Sequence, residues 1–219
     1  MEVLLLGATG MIGQGVLREA LADPRVTGVR SIVRRPSGAA HPKLREIVHG
    51  DFFDLSPLEG QLAGLDACLF CLGVSSAGMG EADYRRVTFD LTLAVAGTLA
   101  RLDPGMTFVY VSGAGTDSSE RGRIMWARVK GMTENALLRL PFKAVYLFRP
   151  GMIRPLDGIR SSTRLYRVLY RLLAPVFPVL EAVRPDSFTT TRRLGRAMVQ
   201  AGLAGAPGPV LETPAINRL

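Results

Sequence analysis

The sequence predicts an α/β fold: a doubly wound parallel sheet with a small C-terminal helical region. Short apolar runs alternate with longer helical patterns, which is typical of a parallel sheet covered by helices. The apolar runs are continuous rather than alternating, as expected for strands that are buried on both faces. The predicted strands are 3–6, 29–33, 46–48, 67–72, 107–111 and 144–148, and the predicted helices are 11–22, 57–63, 81–102 and 122–140.

The pattern changes after Pro150. Residues 160–173 and 191–203 each have helical periodicity, and Thr190 or Thr191 is a suitable N-cap for the second segment. Residues 210–212 form one more predicted strand. We expect a single domain over 1–219, in which residues 153–219 form a small region on the substrate side of the sheet.

The composition is that of a globular protein with a basic surface. The chain has 219 residues, a net charge of +8 and only three lysines, so the positive charge is mainly arginine. Arginine can bind phosphate with two hydrogen bonds. The sequence has no run of like charges and no alternation of basic and aromatic residues, so we expect no nucleic-acid partner. No signal peptide is readable, and the longest apolar stretch, 172–180, is too short to span a bilayer. The predicted location is cytoplasmic.

The cysteines and histidines do not predict redox or metal chemistry. Cys68 and Cys71 are three residues apart within one strand, so their side chains point to opposite faces. We expect two buried thiols. His41 and His49 lack partners at metal-ligand spacing, and no metal site is predicted.

The turn after the first strand carries the strongest functional signal. It reads Gly7-Ala8-Thr9-Gly10-Met11-Ile12-Gly13, between a strand and an amphipathic helix. Such glycines allow a tight turn, close approach of a pyrophosphate, and close packing of helix on strand. The free N–H groups and the dipole of the helix N-terminus then face the anion. The segment predicts a dinucleotide-binding Rossmann domain whose cofactor contacts include Gly7, Thr9, Gly10, Met11 and Ile12.

The end of the second strand predicts the choice of dinucleotide. An acidic residue about twenty positions after the glycines would bind the ribose 2′-hydroxyl of NAD. This chain has Arg34 and Arg35 there, which suit the 2′-phosphate of NADP. We therefore expect NADP(H), with NAD(H) less favoured. The alternative, two solvated surface arginines, stays open.

Further segments, in chain order, resemble motifs of the extended and atypical short-chain dehydrogenases/reductases. This group includes NAD-dependent epimerase/dehydratase-like and NAD(P)H-binding proteins, and the resemblance covers about residues 1–152. Each motif alone is weak, but the ordered set is specific. The matching segments are Gly50-Asp51-Phe52-Phe53-Asp54, Cys71-Leu72-Gly73-Val74, Tyr110-Val111-Ser112 and Phe148-Arg149-Pro150-Gly151.

The resemblance assigns a role to each segment. It implies that the fold is a Rossmann fold and that the chain is an oxidoreductase or epimerase-like protein. It places the catalytic hydroxyl at Ser112, although Ser112 could equally cap the next helix. The implied cofactor contacts are Asp51 and Phe52 at the adenine, Leu72, Gly73 and Val74 at the adenosine ribose, and Pro150 and Gly151 beside the nicotinamide.

The chain departs from the family at its catalytic helix. The family uses Tyr-x-x-x-Lys, whose spacing puts both side chains on one helical face. Here Lys130 is in place for the nicotinamide ribose, but Trp126 replaces the tyrosine, and an indole cannot deliver a proton. Trp126 either contacts the substrate or forms a pocket wall. Thr88 stands where extended members have a structural Asn and is a further expected cofactor contact. Tyr84, Tyr110 and Tyr166 are candidate substitute phenols.

Three functions are therefore open. The first is an NADP-dependent oxidoreductase or epimerase/dehydratase-like enzyme for a small, unidentified carbonyl or hydroxyl compound. The second is a cofactor-binding sensor or interaction protein without turnover, which the replacement at Trp126 favours. The third uses a basic helical face for a weak membrane-surface or protein contact, although an ordinary surface helix has the same pattern. That face comprises Arg160, Arg164, Arg167 and Arg171.

Overall fold

A computed structural model describes residues 1–159 and 183–219. Seven strands form one parallel sheet in the order β3-β2-β1-β4-β5-β6-β9, and β7 pairs with β8 separately. The strands are β1 Glu2–Leu6, β2 Gly28–Val33, β3 Leu44–Val48, β4 Ala67–Phe70, β5 Thr107–Val111, β6 Ala144–Arg149, β7 Met152–Arg154, β8 Phe188–Thr190 and β9 Val210–Glu212.

Helices connect the strands and cover both faces of the sheet. The helix that follows β4 is continuous, because a π-helical stretch at Arg86–Asp90 joins its two α-helical parts. The α-helices, numbered over the described residues, are α1 Met11–Ala22, α2 Glu59–Leu62, α3 Glu81–Arg85, α4 Leu91–Leu102, α5 Met125–Leu137, α6 Thr191–Ala204 and α7 Thr213–Ile216.

The predicted α/β fold and its parallel sheet are confirmed, and the differences are local. The predicted helix 57–63 is split, since Ser56–Leu58 forms a 3₁₀ turn before α2. Strand β4 ends at Phe70 rather than at residue 72, because the backbone at Cys71 passes close to Gly7. The pair β7–β8 was not predicted.

Alternate residues of each strand pack into different cores. In β1, Val3 and Leu5 face α1 and α6, whereas Leu4 and Leu6 face α2, α4 and α5. Cys68 and Cys71 likewise pack on opposite faces, as predicted, and both thiols are free. Continuous apolar strands are thus explained by two buried faces.

The described C-terminal residues pack on α1 and extend the sheet. Strand β9 pairs in parallel with β6, and α6 begins at the N-cap Thr190, whose hydroxyl accepts a hydrogen bond from the Arg193 amide at 3.1 Å. Within residues 1–159 and 183–219, no helix has the length and apolar character needed to cross a membrane. The predicted basic helix 160–173, with Arg160, Arg164, Arg167 and Arg171, lies outside the described residues.

Helices α1 and α6 approach closely because glycines meet at their crossing. A β-carbon at Gly195 would lie 2.8 Å from the carbonyl oxygen of Gly15, and one at Gly15 would lie 2.6 Å from the carbonyl oxygen of Thr191. These are backbone contacts, which cannot rotate away. Helix α1 is therefore held by a packing that tolerates no side chain at either Gly15 or Gly195.

We expect Gly195→Ala to destabilise the protein by about 1–3 kcal/mol, the usual cost of overpacking. Gly97→Ala in α4 is the matched control, because no atom lies within 4 Å of the position that its β-carbon would take. The control should gain about 0.5–1 kcal/mol from helix propensity. Urea unfolding of both variants measures the difference. Equal effects at the two sites would contradict the packing argument.

Candidate cofactor and active site

The candidate site lies where the order of the strands reverses. Strands β2 and β4 flank β1, so the chain leaves the carboxyl ends of β1 and β4 toward opposite faces of the sheet. Ligands of open parallel sheets bind in the crevice at such a point. The structure brings the predicted segments that follow β1, β2, β4, β5 and β6 to this one edge.

The turn after β1 has the backbone geometry that its glycines predicted. Gly7 has a φ of +83°, and a β-carbon there would lie 2.8 Å from the carbonyl of Cys71. A β-carbon at Gly13 would lie 1.9 Å from the carbonyl oxygen of Gly7. Glycine is therefore required at both positions, and the turn is wedged between β4 and α1.

The N-terminus of α1 is available to an anion. Gly10 is the N-cap residue, with extended backbone and no side chain to accept from the first-turn amides. Thr9 is exposed, whereas Met11 and Ile12 are half-buried. The Gln14 side chain donates to the Thr9 carbonyl at 3.0 Å and steadies the loop. A cradle of backbone amides at a helix N-terminus fits the pyrophosphate of a dinucleotide.

Arginines mark the predicted adenosine end. Arg34 and Arg35 are exposed, and neither forms a hydrogen bond or ion pair with any described residue. They directly follow Val33, which pairs with Val48 of β3. This edge of the sheet therefore has two exposed cations that are unpaired among the described residues.

The segments after β3 and β4 complete this end of the crevice. Asp51 is exposed and accepts a hydrogen bond from the Phe53 amide at 2.9 Å. The Phe52 side chain is buried in the core, so its predicted cofactor contact is restricted to backbone atoms. After β4, Leu72 is half-buried, whereas Gly73 and Val74 are exposed along the crevice.

Ser112 lies at the end of β5 and does not cap a helix, since α5 begins only at Met125. Its hydroxyl lies 3.0 Å from that of Thr116, which itself donates to the Gly113 carbonyl at 2.7 Å. With the Thr116 proton so engaged, Ser112 is the donor to Thr116. The Ser112 oxygen keeps its lone pairs as acceptors.

Backbone bonds hold the Ser112 loop beside the predicted nicotinamide loop. The Ser112 amide donates to the Phe148 carbonyl at 2.7 Å, and the Ala114 amide donates to the Pro150 carbonyl at 3.0 Å. The Gly151 amide donates to the Thr213 hydroxyl at 2.8 Å. The two loops therefore form one rigid rim.

Trp126 and Lys130 project from the first half of α5. The Trp126 ring lies 3.6 Å from the position that a β-carbon at Gly115 would take, so it covers the loop after Ser112. The Lys130 Nζ lies 5.5 Å from the centre of the Tyr110 ring. Burial lowers the pKa of Lys130 to about 8, while the charge of Glu134 acts in the opposite direction. Near neutral pH this ammonium can exchange a proton.

The candidate substitute phenols are poor acids here. Tyr84 and Tyr110 are buried, and desolvation raises the pKa of both phenols. The hydroxyls of Thr88 and Thr133 act in the opposite direction and lower the pKa of Tyr84 and Tyr110, respectively, but burial has the larger effect. Thr88 is itself only 5% exposed, which leaves little of its side chain accessible for the expected cofactor contact. Tyr166 lies outside the described residues.

Sequence reasoning missed one charged pair behind this site. Glu134 is buried one helical turn after Lys130 and forms an ion pair with Arg149. The four-residue spacing between Lys130 and Glu134 is visible in the sequence. The pairing of Glu134 with Arg149 on β6 is not. Within the described ranges, no cluster of three or more His, Cys, Asp or Glu side chains could hold a metal ion.

A parallel sheet of this order, with this turn at its switch point, defines a dinucleotide-binding Rossmann protein. The profile of the family described as NAD(P)H-binding matches residues 7–139. The chain belongs to this NAD(P)H-binding family.

The chain is also similar to fungal proteins over most of its length. It is 30% identical over 219 residues to the mitochondrial protein fmp52 of Aspergillus clavatus, covering 95% of this chain and 90% of that one. It is 32% identical over 166 residues to mitochondrial FMP52 of Saccharomyces cerevisiae, covering 75% and 69%. The expected cytoplasmic location is wrong by this comparison, because these relatives are named as mitochondrial. Composition and the lack of a readable signal carried no information on this point.

Solved structures share the fold at low sequence identity. A dTDP-glucose 4,6-dehydratase of Streptomyces venezuelae, with NAD and TYD bound, aligns with a TM-score of 0.69 at 19% identity, over 96% of this chain and 74% of that one. A UDP-N-acetylglucosamine 4-epimerase of Methanobrevibacter ruminantium has a TM-score of 0.69 at 13% identity, over 95% and 74%. The resemblance to epimerase/dehydratase-type Rossmann proteins is confirmed at the level of the fold.

We expect Lys130→Met to stabilise the protein near pH 7. The pKa of Lys130 falls from 10.5 to about 8 on folding, so the burial penalty is full below pH 8 and disappears as the pH rises toward 10.5. The gain should be on the order of 2–3 kcal/mol near pH 7 and smaller near pH 9.5. Urea unfolding at both pH values measures it, with the exposed Lys143→Met as control. A loss of stability near pH 7 would refute the argument.

Proposed function

We propose that this protein binds NADP(H) in preference to NAD(H) and is an oxidoreductase or epimerase/dehydratase-like enzyme. The observation that carries the proposal is the turn at Gly7–Gly13, which leads into α1 and leaves the amides of the first turn of this helix without a side-chain cap. The exposed cations Arg34 and Arg35 support the choice of the phosphorylated cofactor. NADP(H), when bound, supplies or accepts the hydride.

The residues around Ser112 suit a small carbonyl or hydroxyl compound. Ser112 accepts a hydrogen bond from a substrate hydroxyl, and it orients a carbonyl oxygen when its proton turns from Thr116 to the substrate. Lys130 holds the nicotinamide ribose. Lys130 is also the described group best able to move a proton near neutral pH, since its pKa is about 8 and those of the nearby phenols are raised. Trp126 closes one wall of the site and excludes water from the Ser112 loop.

The rim of the site favours a substrate with an apolar part. Three large apolar side chains are exposed here. Val74 follows β4, Ile124 precedes α5, and Met152 follows β6. These positions share the carboxyl edge of the sheet. We propose that residues 153–219 form the substrate-side region, because Gly151 packs against the backbone of Ser187.

A second candidate function is a cofactor-binding sensor without turnover. Trp126 favours it, because an indole has no ionisable proton in water. The same cofactor site serves both functions, so cofactor binding alone does not separate them.

Replacing Arg34 tests the cofactor preference. We expect Arg34→Ala to weaken NADPH binding by about 1.5–3 kcal/mol, the usual size of a hydrogen bond to a charged group, and to leave NADH binding nearly unchanged. Calorimetric titration of both cofactors measures this. Gly10→Val is the control for the phosphate turn, since its side chain would occupy pyrophosphate space and weaken both cofactors equally. Equal losses of affinity for NADPH and NADH in Arg34→Ala would contradict the proposed preference for NADP(H).

Replacing Trp126 separates the enzyme from the sensor. We expect slow NADPH oxidation with small carbonyls in the wild type, and an increase in Trp126→Tyr, because a positioned acid contributes about 10²–10⁴-fold. Stopped-flow absorbance of NADPH measures both rates, with Trp126→Phe as control for ring size. Brisk wild-type turnover, near the median of about 10 s⁻¹, that Trp126→Tyr lowers would show that Trp126 belongs to a working site.

A further inference from the structure

Glu134 is the one charged residue that is fully buried in the described ranges. It is 1% exposed, on the face of α5 that packs on the sheet. Burying a carboxylate is unfavourable unless a cation and hydrogen bonds compensate it. Its position one helical turn after Lys130 places the two side chains on the same face.

Arg149 provides that compensation in a forked geometry. Its Nε donates to the two carboxylate oxygens of Glu134 at 3.0 and 3.2 Å, and its Nη2 donates to Oε2. The Arg149 side chain is itself only 12% exposed. Its remaining donors reach Ser118 Oγ at 2.5 Å and Glu212 Oε1 at 3.5 Å. One guanidinium thus joins α5, β6, β9 and the loop before α5.

The ion pair connects two parts of the candidate site. Glu134 belongs to the helix that carries Lys130 and Trp126. Arg149 directly precedes Pro150 and Gly151, which form the loop beside Ser112. A planar guanidinium bound to a carboxylate fixes both distance and orientation, which an apolar contact does not.

We propose that Glu134 and Arg149 are positioning residues, which fix the Lys130 helix relative to the Pro150–Gly151 loop at the nicotinamide end of the cofactor site. This inference rests on the proposed NADP(H) binding. Neither residue acts on the cofactor directly. Their effect on binding is transmitted through Lys130 and through the loop.

The electrostatic surroundings of Lys130 give the pair a second effect. Glu134 on the same helix raises the pKa of Lys130, against the larger effect of burial. Arg149 on β6 lies beyond Glu134, and the phenols Tyr110 on β5 and Tyr84 on α3 are held neutral by burial. Glu134 is therefore the negative charge that keeps Lys130 protonated near neutral pH. Removal of the Glu134 charge should therefore lower the titration midpoint of Lys130, whereas the positioning role is measured by cofactor binding.

The first test compares two ligands in two variants. Glu134→Gln should weaken NADPH binding roughly tenfold or more, because Lys130 is displaced. It should leave adenosine 2′,5′-bisphosphate unchanged, since this ligand lacks the nicotinamide and its ribose. Glu19→Gln is the matched control, because Glu19 is a helical carboxylate paired with Arg196 far from the site. It should leave both ligands unaffected.

The second test reads the titration of Lys130 without any cofactor. The chain has only three lysines, so protein carrying [ε-¹³C]lysine gives three side-chain signals, with Lys43 and Lys143 as internal references. The midpoint of Lys130 should be about 8 in the wild type. Glu134→Gln should lower it by about one pH unit, the effect of losing a nearby opposite charge. Glu134→Asp keeps the negative charge, so the Lys130 midpoint in this variant should lie close to the wild-type value. This variant keeps the test decisive if Glu134→Gln folds poorly.

The outcomes separate the two proposals. An unchanged Lys130 midpoint in Glu134→Gln, with equal losses for both ligands, would reduce the pair to a fold-stabilising contact and overturn the inference. A wild type that binds neither ligand would refute the proposed NADP(H) binding. Lowering of the midpoint in Glu134→Gln, together with selective loss of NADPH, supports the positioning role.

Discussion

The structure depends on the close contact between backbone segments at the turn after β1. The carbonyl of Gly7 faces Gly13 in α1, and Gly7 itself lies against the carbonyl of Cys71 at the end of β4. This wedge sets the position of α1 relative to the sheet. The glycine crossing of α1 and α6 then sets the position of the C-terminal helix. A side chain at any of these positions would separate the layers and move the amide cradle.

The opposite end of the crevice is built from charges rather than from small residues. Lys130 is held mostly within the protein, where burial lowers its pKa. The charge of Glu134 compensates part of that cost, and its ion pair with Arg149 joins the surrounding elements. Groups that reduce stability in this way are common at functional sites, where geometry is selected over stability. The same physical features argue that this end of the crevice serves a ligand.

Trp126, on a helix that packs in the expected layer of the fold, stands where the family motif has a tyrosine. Backbone hydrogen bonds hold the loop after Ser112 beside the Pro150–Gly151 loop, and Lys130 lies on α5 with its ammonium near the Tyr110 ring of β5. The proton step is therefore the point at which this chain differs. The two candidate phenols that the structure describes, Tyr84 and Tyr110, are buried and are weak acids, which leaves Lys130 as the titratable group near neutral pH.

The sequence by itself determined the fold class, the phosphate turn and the order of the site segments. These depend on local periodicity and on glycine at fixed spacing after a strand, both of which are visible in one chain. The tertiary structure decided which side chains meet. Phe52 and Thr88 are buried. Arg149 on β6 is hydrogen-bonded to Glu134 on α5, fifteen residues away in the sequence. Local patterns carry no information on such partners, because ion pairs and burial depend on how α5 packs against β6.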